Sequence, residues 1–137
     1  MKITAKLDYT CRILCELARR FETGGPVSIE DLSRAEGVPA NFLAQILGEL
    51  RNGRLVVSRR GIQGGFLLAR PPAEITLLDI IETVEGGLLT LGGNHGGRSG
   101  RAMKEIWEEI GAAASAKARA YTLEAMAARV EAEMYYI

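Results

Sequence analysis

The sequence predicts a mainly α-helical fold with a small β-hairpin: a winged helix-turn-helix plus a long C-terminal dimerisation helix. Three observations predict it. Apolar residues recur every three or four positions through the first fifty residues, broken by tight glycine turns. Two short runs, Leu55-Val56-Val57-Ser58 and Phe66-Leu67-Leu68-Ala69, then abandon that period on either side of Gly61-Ile62-Gln63-Gly64-Gly65. Beyond a glycine-rich break, a helical apolar stripe resumes and continues into an alanine-rich segment.

In chain order, Leu7, Cys11, Leu14, Cys15, Ala18 and Phe21 give a long amphipathic first helix, closed by the turn cluster Thr23-Gly24-Gly25-Pro26. Ser28 is an N-cap followed three residues later by Asp31, a weaker form of the capping box than one closed by Glu. Ile29, Leu32 and Ala35 line one face of a short second helix, and Gly37 suits the left-handed residue that ends it. Pro39 fits the first turn of a third helix. Its buried stripe is Phe42, Leu43, Ile46, Leu47 and Leu50, and Asn52-Gly53 ends it. Two helices across a glycine turn form a helix-turn-helix signature, and the hairpin that follows makes it a winged helix. Pro71-Pro72 stops the strand pairing. Thr76 caps a fourth helix with Leu77, Leu78, Ile80, Ile81 and Val84 on its apolar side. Thr122 opens a short final helix with Leu123, Met126 and Val130 inward, and Tyr135 and Tyr136 fall near the surface.

These elements divide the chain into a winged-helix unit over 1–86, a glycine-rich connection over 87–100 and a helical dimerisation region over 101–137. The 137 residues fit one domain or a domain with an appendage, long enough to bury a core without staples. Composition excludes collagen, a disordered tail and a disulfide scaffold. No apolar run reaches the roughly 20 residues of a membrane span. The opening MKITAKLDY has no apolar segment of a signal peptide, and with two cysteines this points to a reducing, cytoplasmic setting.

Seventeen basic and 17 acidic side chains sum to zero, which at first opposes a nucleic-acid partner. The distribution reverses that reading. From Leu50 to Ala73 there is no acid, and the window holds Arg51, Arg54, Arg59, Arg60 and Arg70. Arginines beside a glycine-rich tip can reach phosphates or enter a minor groove, because glycine lets the backbone approach closely. Opposite its apolar stripe the third helix presents Asn41, Ala44, Gln45, Glu49 and Arg51. Asn and Gln can pair with an adenine edge in the major groove, and Arg with guanine. A solvated arginine-rich turn is the bland alternative; helix-turn-helix and basic wing in the right order favour double-stranded DNA.

At MKITAKLDYTCRILCELA, SIEDLSRAEGVPANFLAQILGELRNGRLVVSRRGIQGGFLLARPP and EITLLDIIETVEG, and more weakly around Ile106-Trp107, the chain resembles the Rrf-type winged-helix transcription regulators. That family includes the iron–sulfur cluster regulator, the nitric-oxide-sensing repressor and the cysteine-metabolism repressor. The resemblance implies a homodimer on a near-palindromic operator, with the third helix in the major groove and the wing in the adjacent minor groove. It further implies that the long C-terminal helix, helped by the first, forms the dimer interface. The expected DNA contacts are Lys2, Lys6, Ser28, Pro39, Ala40, Asn41, Gln45, Arg51, Arg59, Arg60, Gln63 and Gly64. Asn41 and Gln45 are the candidate base readers; Lys2, Lys6 and Arg51 are the phosphate candidates.

Several members of that family hold an iron–sulfur cluster through three cysteines in the glycine-rich loop and the start of the next helix. Here the matching stretch, Thr90 to Trp107, has no cysteine, and Arg101 and Lys104 stand where one member type has Cys-x-x-His. Cations cannot replace thiolates as ligands, so no cluster, metal or other cofactor is expected at that position. Cys11 and Cys15 lie one helical turn apart, and read as small core residues rather than a thiol sensor or a disulfide. His95 sits alone in a loop with no second ligand. No nucleophile has a base and no phosphate loop is present, so the chain is not expected to be an enzyme.

Met103, Ile106, Trp107, Ile110, Ala114 and Tyr121 recur at helical spacing. An intramolecular core, a dimer interface and a ligand pocket are all open to such a stripe. Its length favours an interface between chains, since the N-terminal unit already has apolar faces of its own. The expected function is a DNA-binding regulator, of repressor type, acting as a homodimer. The alternatives are a winged-helix interaction module without DNA readout, or a sensor for an unknown small-molecule effector.

Overall fold

Most helices of the computed structural model, which describes residues 2–136, begin at a hydroxyl that the sequence supplies. Thr4 caps α1 (Ala5–Arg19) by accepting from the Leu7 amide, and Ser28 caps α2 (Ile29–Glu36) by accepting from that of Asp31. Thr76 and Asp79 form a full capping box at the start of α4 (Leu77–Glu85), and Thr122 caps α6 (Leu123–Tyr135). Each such cap satisfies a free helical N–H and contributes about 1 kcal/mol. The other two helices have no side-chain cap: α3 (Ala40–Asn52) follows Pro39, and α5 (Gly97–Arg119) follows Gly96. Pro39 is thus the residue before the third helix rather than part of its first turn.

Between α3 and α4 lie β1 (Val56–Arg59) and β2 (Gly65–Leu68), followed by a 3₁₀ turn at Pro72–Glu74. The strands are antiparallel, with Val56 opposite Leu68 and Arg59 opposite Gly65. Val27 adds an isolated bridge on the other side of β2. Its N–H donates to the Phe66 carbonyl at 3.0 Å, and the Phe66 N–H donates back at 2.9 Å. Gly65 has φ +155, and a Cβ there would collide with the Val27 backbone, so this position admits only glycine without strain.

One core joins these elements. Leu14 of α1, Leu32 of α2, Leu43, Leu47 and Leu50 of α3, Leu55, Ile75, Ile80 of α4 and Leu123 of α6 are all fully buried. Each buried leucine contributes about 2 kcal/mol relative to exposure. The apolar periodicity is kept, with differences at its edges: Ala35 is exposed and Phe21 lies beyond the end of α1.

The C-terminal half departs from a separate helical region over 101–137. Helix α5 begins inside the expected connection, at Gly97. Helix α6 returns to the winged unit, where Leu123 and Ala127 are buried and join the face of α1. The Leu77 N–H donates to the Tyr121 carbonyl and the Leu123 N–H to that of Ile75, both at 2.8 Å, so the α5–α6 corner is bonded to the start of α4. Helix α5 touches α4 and buries Ala118 near its end, but all of its residues 101–110 are exposed.

The apolar stripe of α1 conceals a charge. Glu16 is 3% exposed and accepts from Arg19 Nη1 at 2.6 Å and Arg20 Nε at 2.7 Å. Arg19 also faces Glu131 of α6 at 3.7 Å. Burial of a carboxylate is tolerated because two guanidiniums share it. Glu36, at the end of α2, faces the same cluster. Its carboxyl is raised above the usual range by burial first and by Glu16 second, with Arg12 and Arg19 opposing. The folded chain therefore holds this proton to higher pH than the unfolded chain does. The resulting stability is present at acid pH and is lost as pH rises through the raised pKa. Glu36→Gln is accordingly expected to raise the melting temperature at neutral pH, by an amount that shrinks as pH falls below the ordinary carboxylate range. Thermal melts from pH 4 to 8 check this; a lower melting temperature for the variant at pH 7 contradicts it.

Candidate nucleic-acid interface

The turn between α2 and α3 is fixed from within. Gly37 closes α2 at φ +66, and the Ser33 hydroxyl donates to the Val38 carbonyl at 2.6 Å while Val38 is buried. Helix α3 is then seated by Leu43, Ile46, Leu47 and Leu50 on the core side. Its start is also held from α1, where Tyr9 meets Phe42 edge-on with centroids 5.6 Å apart. The opposite face is left in solvent, and Pro39, Ala40, Asn41, Ala44, Gln45 and Arg51 are all exposed. Asn41 and Gln45 sit one helical turn apart on that face, the spacing at which two side chains reach adjacent base edges.

The wing is the second arm. Arg59, Arg60 and Gln63 are exposed, while Gly64 is half-buried under the turn it closes. Between the wing and the α2–α3 unit runs an open groove of about 460 Å³, lined by Ser28, Arg51, Ser58, Arg59, Arg60 and Gly64 among others. Ser28 is at the N-terminus of α2, where free N–H groups and the helix dipole favour an anion. The groove therefore gathers a helix N-terminus and three arginines against one acid, Glu30, a set able to hold a phosphate backbone.

Two predicted contacts go elsewhere. Lys6 Nζ donates to Glu49 of α3 at 2.8 Å, so its charge is answered within the protein and it serves as a strut between α1 and α3. Lys2 lines a separate cleft between α1 and α4, beside Ile3, Ile81 and Glu85. Ser58 and Arg54 went unmarked as site residues. Ser58 lines the groove. Arg54 has φ +62, the one non-glycine with positive φ among the described residues, and is exposed where α3 turns into β1. Its charge lay in the acid-free window, but its backbone state leaves no mark in the sequence.

The expected dimer stripe divides. Met103, Ile106, Trp107 and Ile110 of α5 are exposed, each by more than 40%, with Trp107 partly covered by the 88–91 segment. Ala114 is half-buried. Tyr121 leaves the stripe and turns inward. It lines a cavity with Cys15, Leu77 and Met126, and its ring lies 5.5 Å from Lys117 Nζ and 5.6 Å from the Arg129 guanidinium.

Comparison with known proteins adds to this geometry. Residues 3–129 match the family described as Rrf2, iron-dependent transcriptional regulator. The chain belongs to the Rrf2 family. It is 33% identical to the helix-turn-helix-type transcriptional regulator CymR of Bacillus subtilis over the whole of both chains. Over 91 residues it is 41% identical to a regulator of the same type from Mycobacterium tuberculosis; that match takes in 66% of this chain but only 56% of the mycobacterial protein. The solved structure of B. subtilis CymR superposes with TM-score 0.83 at 32% identity, covering 94% of this chain and 98% of that one. T. potens IscR follows at 0.78 and 31%, covering 95% and 88%. The family and these relatives are described as transcriptional regulators, and this chain has the family's winged-helix fold.

The family description invokes iron, and the residues here do not fit it. The segment from Thr90 to Trp107 offers no thiolate, and Arg101 and Lys104 are paired with Glu105 and Glu108 along α5. Among the described residues no three His, Cys, Asp or Glu side chains gather as a metal site. The two cysteines lie on α1 and are both free. Burial is the main cause that pushes the Cys11 thiol up to about 12, with Cys15 and Asp8 adding to it. Burial likewise raises Cys15 to about 11, helped by Glu36 and Glu16. Thiols held protonated are poor nucleophiles and poor redox sensors. Both are expected to resist iodoacetamide in the native protein at pH 8 and to react at least tenfold faster in 6 M guanidinium. Rapid native alkylation of either residue, read by mass spectrometry, reinstates a thiol sensor.

Proposed function

We propose that this chain is a sequence-specific DNA-binding regulator of repressor type that works as a homodimer in the cytoplasm, without an iron–sulfur cluster at the family position. The observation that carries the reading is the groove lined together by Arg51 at the end of α3, the N-terminus of α2 and the arginine wing, with Asn41 and Gln45 exposed on the same recognition helix. In this reading Asn41 and Gln45 read base edges in the major groove. Ser28, Arg51 and Arg59 hold phosphates, and Arg60 and Gln63 reach the adjacent minor groove. Pro39, Ala40 and Gly64 allow close backbone approach. Ala44 makes no polar base contact and leaves that position to shape.

Dimerisation follows from α5. Met103, Ile106, Trp107 and Ile110 offer a continuous apolar stripe that an isolated chain leaves wet. A second copy covers it symmetrically, and a two-fold pair sets two recognition helices about 34 Å apart, matching a near-palindromic operator. Trp107→Glu is expected to shift the protein to monomers in sedimentation velocity while the far-UV spectrum stays native. A persistent dimer takes the stripe out of the interface. A small-molecule effector has room beside the same helix, in a cavity of about 460 Å³ lined by Leu88, Leu89, Leu91, Trp107 and Ser115.

Selection of bound duplexes from a random pool tests the reading and returns the operator. On that operator, Arg60→Ala is expected to weaken binding about tenfold with an unchanged melting temperature. The slope of log K against log salt is expected to be steep, near −0.9 per phosphate engaged. No enrichment, and no binding of any duplex at low salt, favours an interaction module that keeps the fold and has lost DNA.

A further inference from the structure

The wing tip contains a residue that its own fold does not use. Gly61 has φ +113, and the Gly64 N–H donates to the Gly61 carbonyl at 3.0 Å, which makes Gly61–Gly64 a tight turn with Ile62 and Gln63 at its centre. Central turn positions are normally filled by Pro, Asn, Asp or Gly. These supply a fixed φ, a local hydrogen bond or access to positive φ. Isoleucine supplies none of them, and its branched Cβ is stiff. Ile62 is 107% exposed, more than any other large apolar side chain described. The exposed residues of α5 belong to a stripe, and Ile3 lines a cleft with Leu7, Ile81 and Leu88. Ile62 stands among Arg59, Arg60, Gly61, Gln63 and Gly64, with no apolar neighbour on the turn. A lone apolar side chain ringed by cations and glycines does not form the apolar centre of a protein–protein contact.

The flanking arginines bring this tip against phosphates, and the minor groove, about 6 Å wide, admits a narrow turn and little else. An apolar side chain delivered there meets the edges and faces of stacked bases. We propose that Ile62 is a wedge that enters the minor groove between two base pairs, partly unstacks them and bends the DNA, so that each wing selects a deformable step. The proposal rests on the DNA-binding reading above and adds to it a second source of specificity. The Asn41–Gln45 face reads hydrogen-bonding edges, whereas Ile62 reads how readily a step opens. Pyrimidine–purine steps such as TA and CA/TG open most easily, and unstacking them bends the duplex by tens of degrees. Gln63, beside the wedge, has the donor and acceptor to meet the adenine N3 or thymine O2 edge of the opened step.

The test uses the full chain and the operator duplex recovered by selection. 2-Aminopurine is placed in turn at each step under the wing, and donor and acceptor dyes are attached to the two ends. Wild-type protein is expected to raise 2-aminopurine emission several-fold at one step in each half-site and to shorten the end-to-end distance. Ile62→Ser is expected to lose both signals and to bind about tenfold more weakly with the same salt slope, since the phosphate contacts remain. Ile62→Leu is expected to retain both. Replacing the opened step by GC is expected to weaken wild type and leave Ile62→Ser unchanged. Tight wild-type binding without unstacking or bending, or an Ile62→Ser complex that bends like wild type, overturns the wedge while leaving DNA binding intact. Failure of wild type to bind any duplex removes both readings.

Discussion

The wing depends on a pair of hydrogen bonds from Val27. A two-stranded hairpin of four residues a side is marginal in water, because it lacks a second face to bury. Here the outer edge of β2 is paired by Val27, the residue immediately before the Ser28 cap of α2. The bridge does two things. It completes β2, so that Leu68 and Val56 can stay in the core. It also ties the hairpin to the start of the helix-turn-helix, so the arginines of the wing and the N-terminus of α2 face one groove at a fixed separation. Gly65 is the condition for this contact, since any side chain there meets the Val27 backbone.

A second tie governs the other end of the molecule. Thr76 and Thr122 form an isolated bridge, and each also caps the helix that follows it. The α5–α6 corner is thereby pinned to the start of α4. Two consequences follow from that one contact. Helix α6 is directed back along α1, where Leu123 and Ala127 complete the winged core and Glu131 approaches Arg19. The first half of helix α5 lies outside that core and keeps its apolar stripe exposed. The stripe from Met103 to Ile110 is exposed because its own chain has already filled its core with α6.

Local chemistry made most of this legible in the sequence. The caps at Ser28, Thr76 and Thr122 and the closure at Gly37 are signals carried within a few residues and appear where the sequence puts them, while the two strands around the glycine tip fall one residue from their expected bounds. Long-range pairing was not legible. Nothing in the spacing of AYTLEAM announces that the Tyr121 carbonyl meets the Leu77 amide, so α6 reads as part of a separate unit. Lys6 looked like a free cation until α3 placed Glu49 beside it. Glu16, between apolar neighbours on α1, gives no sign that two partly exposed arginines close over it. Such features depend on which surfaces meet, and periodicity records only which faces are apolar.

Behind the zero net charge, two groups of cations are held differently. Lys6, Arg12, Arg19, Arg20, Arg34, Arg101 and Lys104 all have acidic partners within 4 Å. Among the described residues, none of Arg51, Arg54, Arg59, Arg60 and Arg70 has one. A screened pair contributes little field beyond a Debye length of about 10 Å, so the paired cations fall silent at the distance from which DNA approaches. The arginines from 51 to 70 do not. The acid-free stretch from Arg51 to Arg70 therefore keeps its local positive field, while the zero net charge keeps general attraction to a duplex weak. Weak general attraction leaves discrimination to what happens after contact. In the proposed reading, base edges at Asn41 and Gln45 and the deformability of the step beneath Ile62 decide which sequence stays bound.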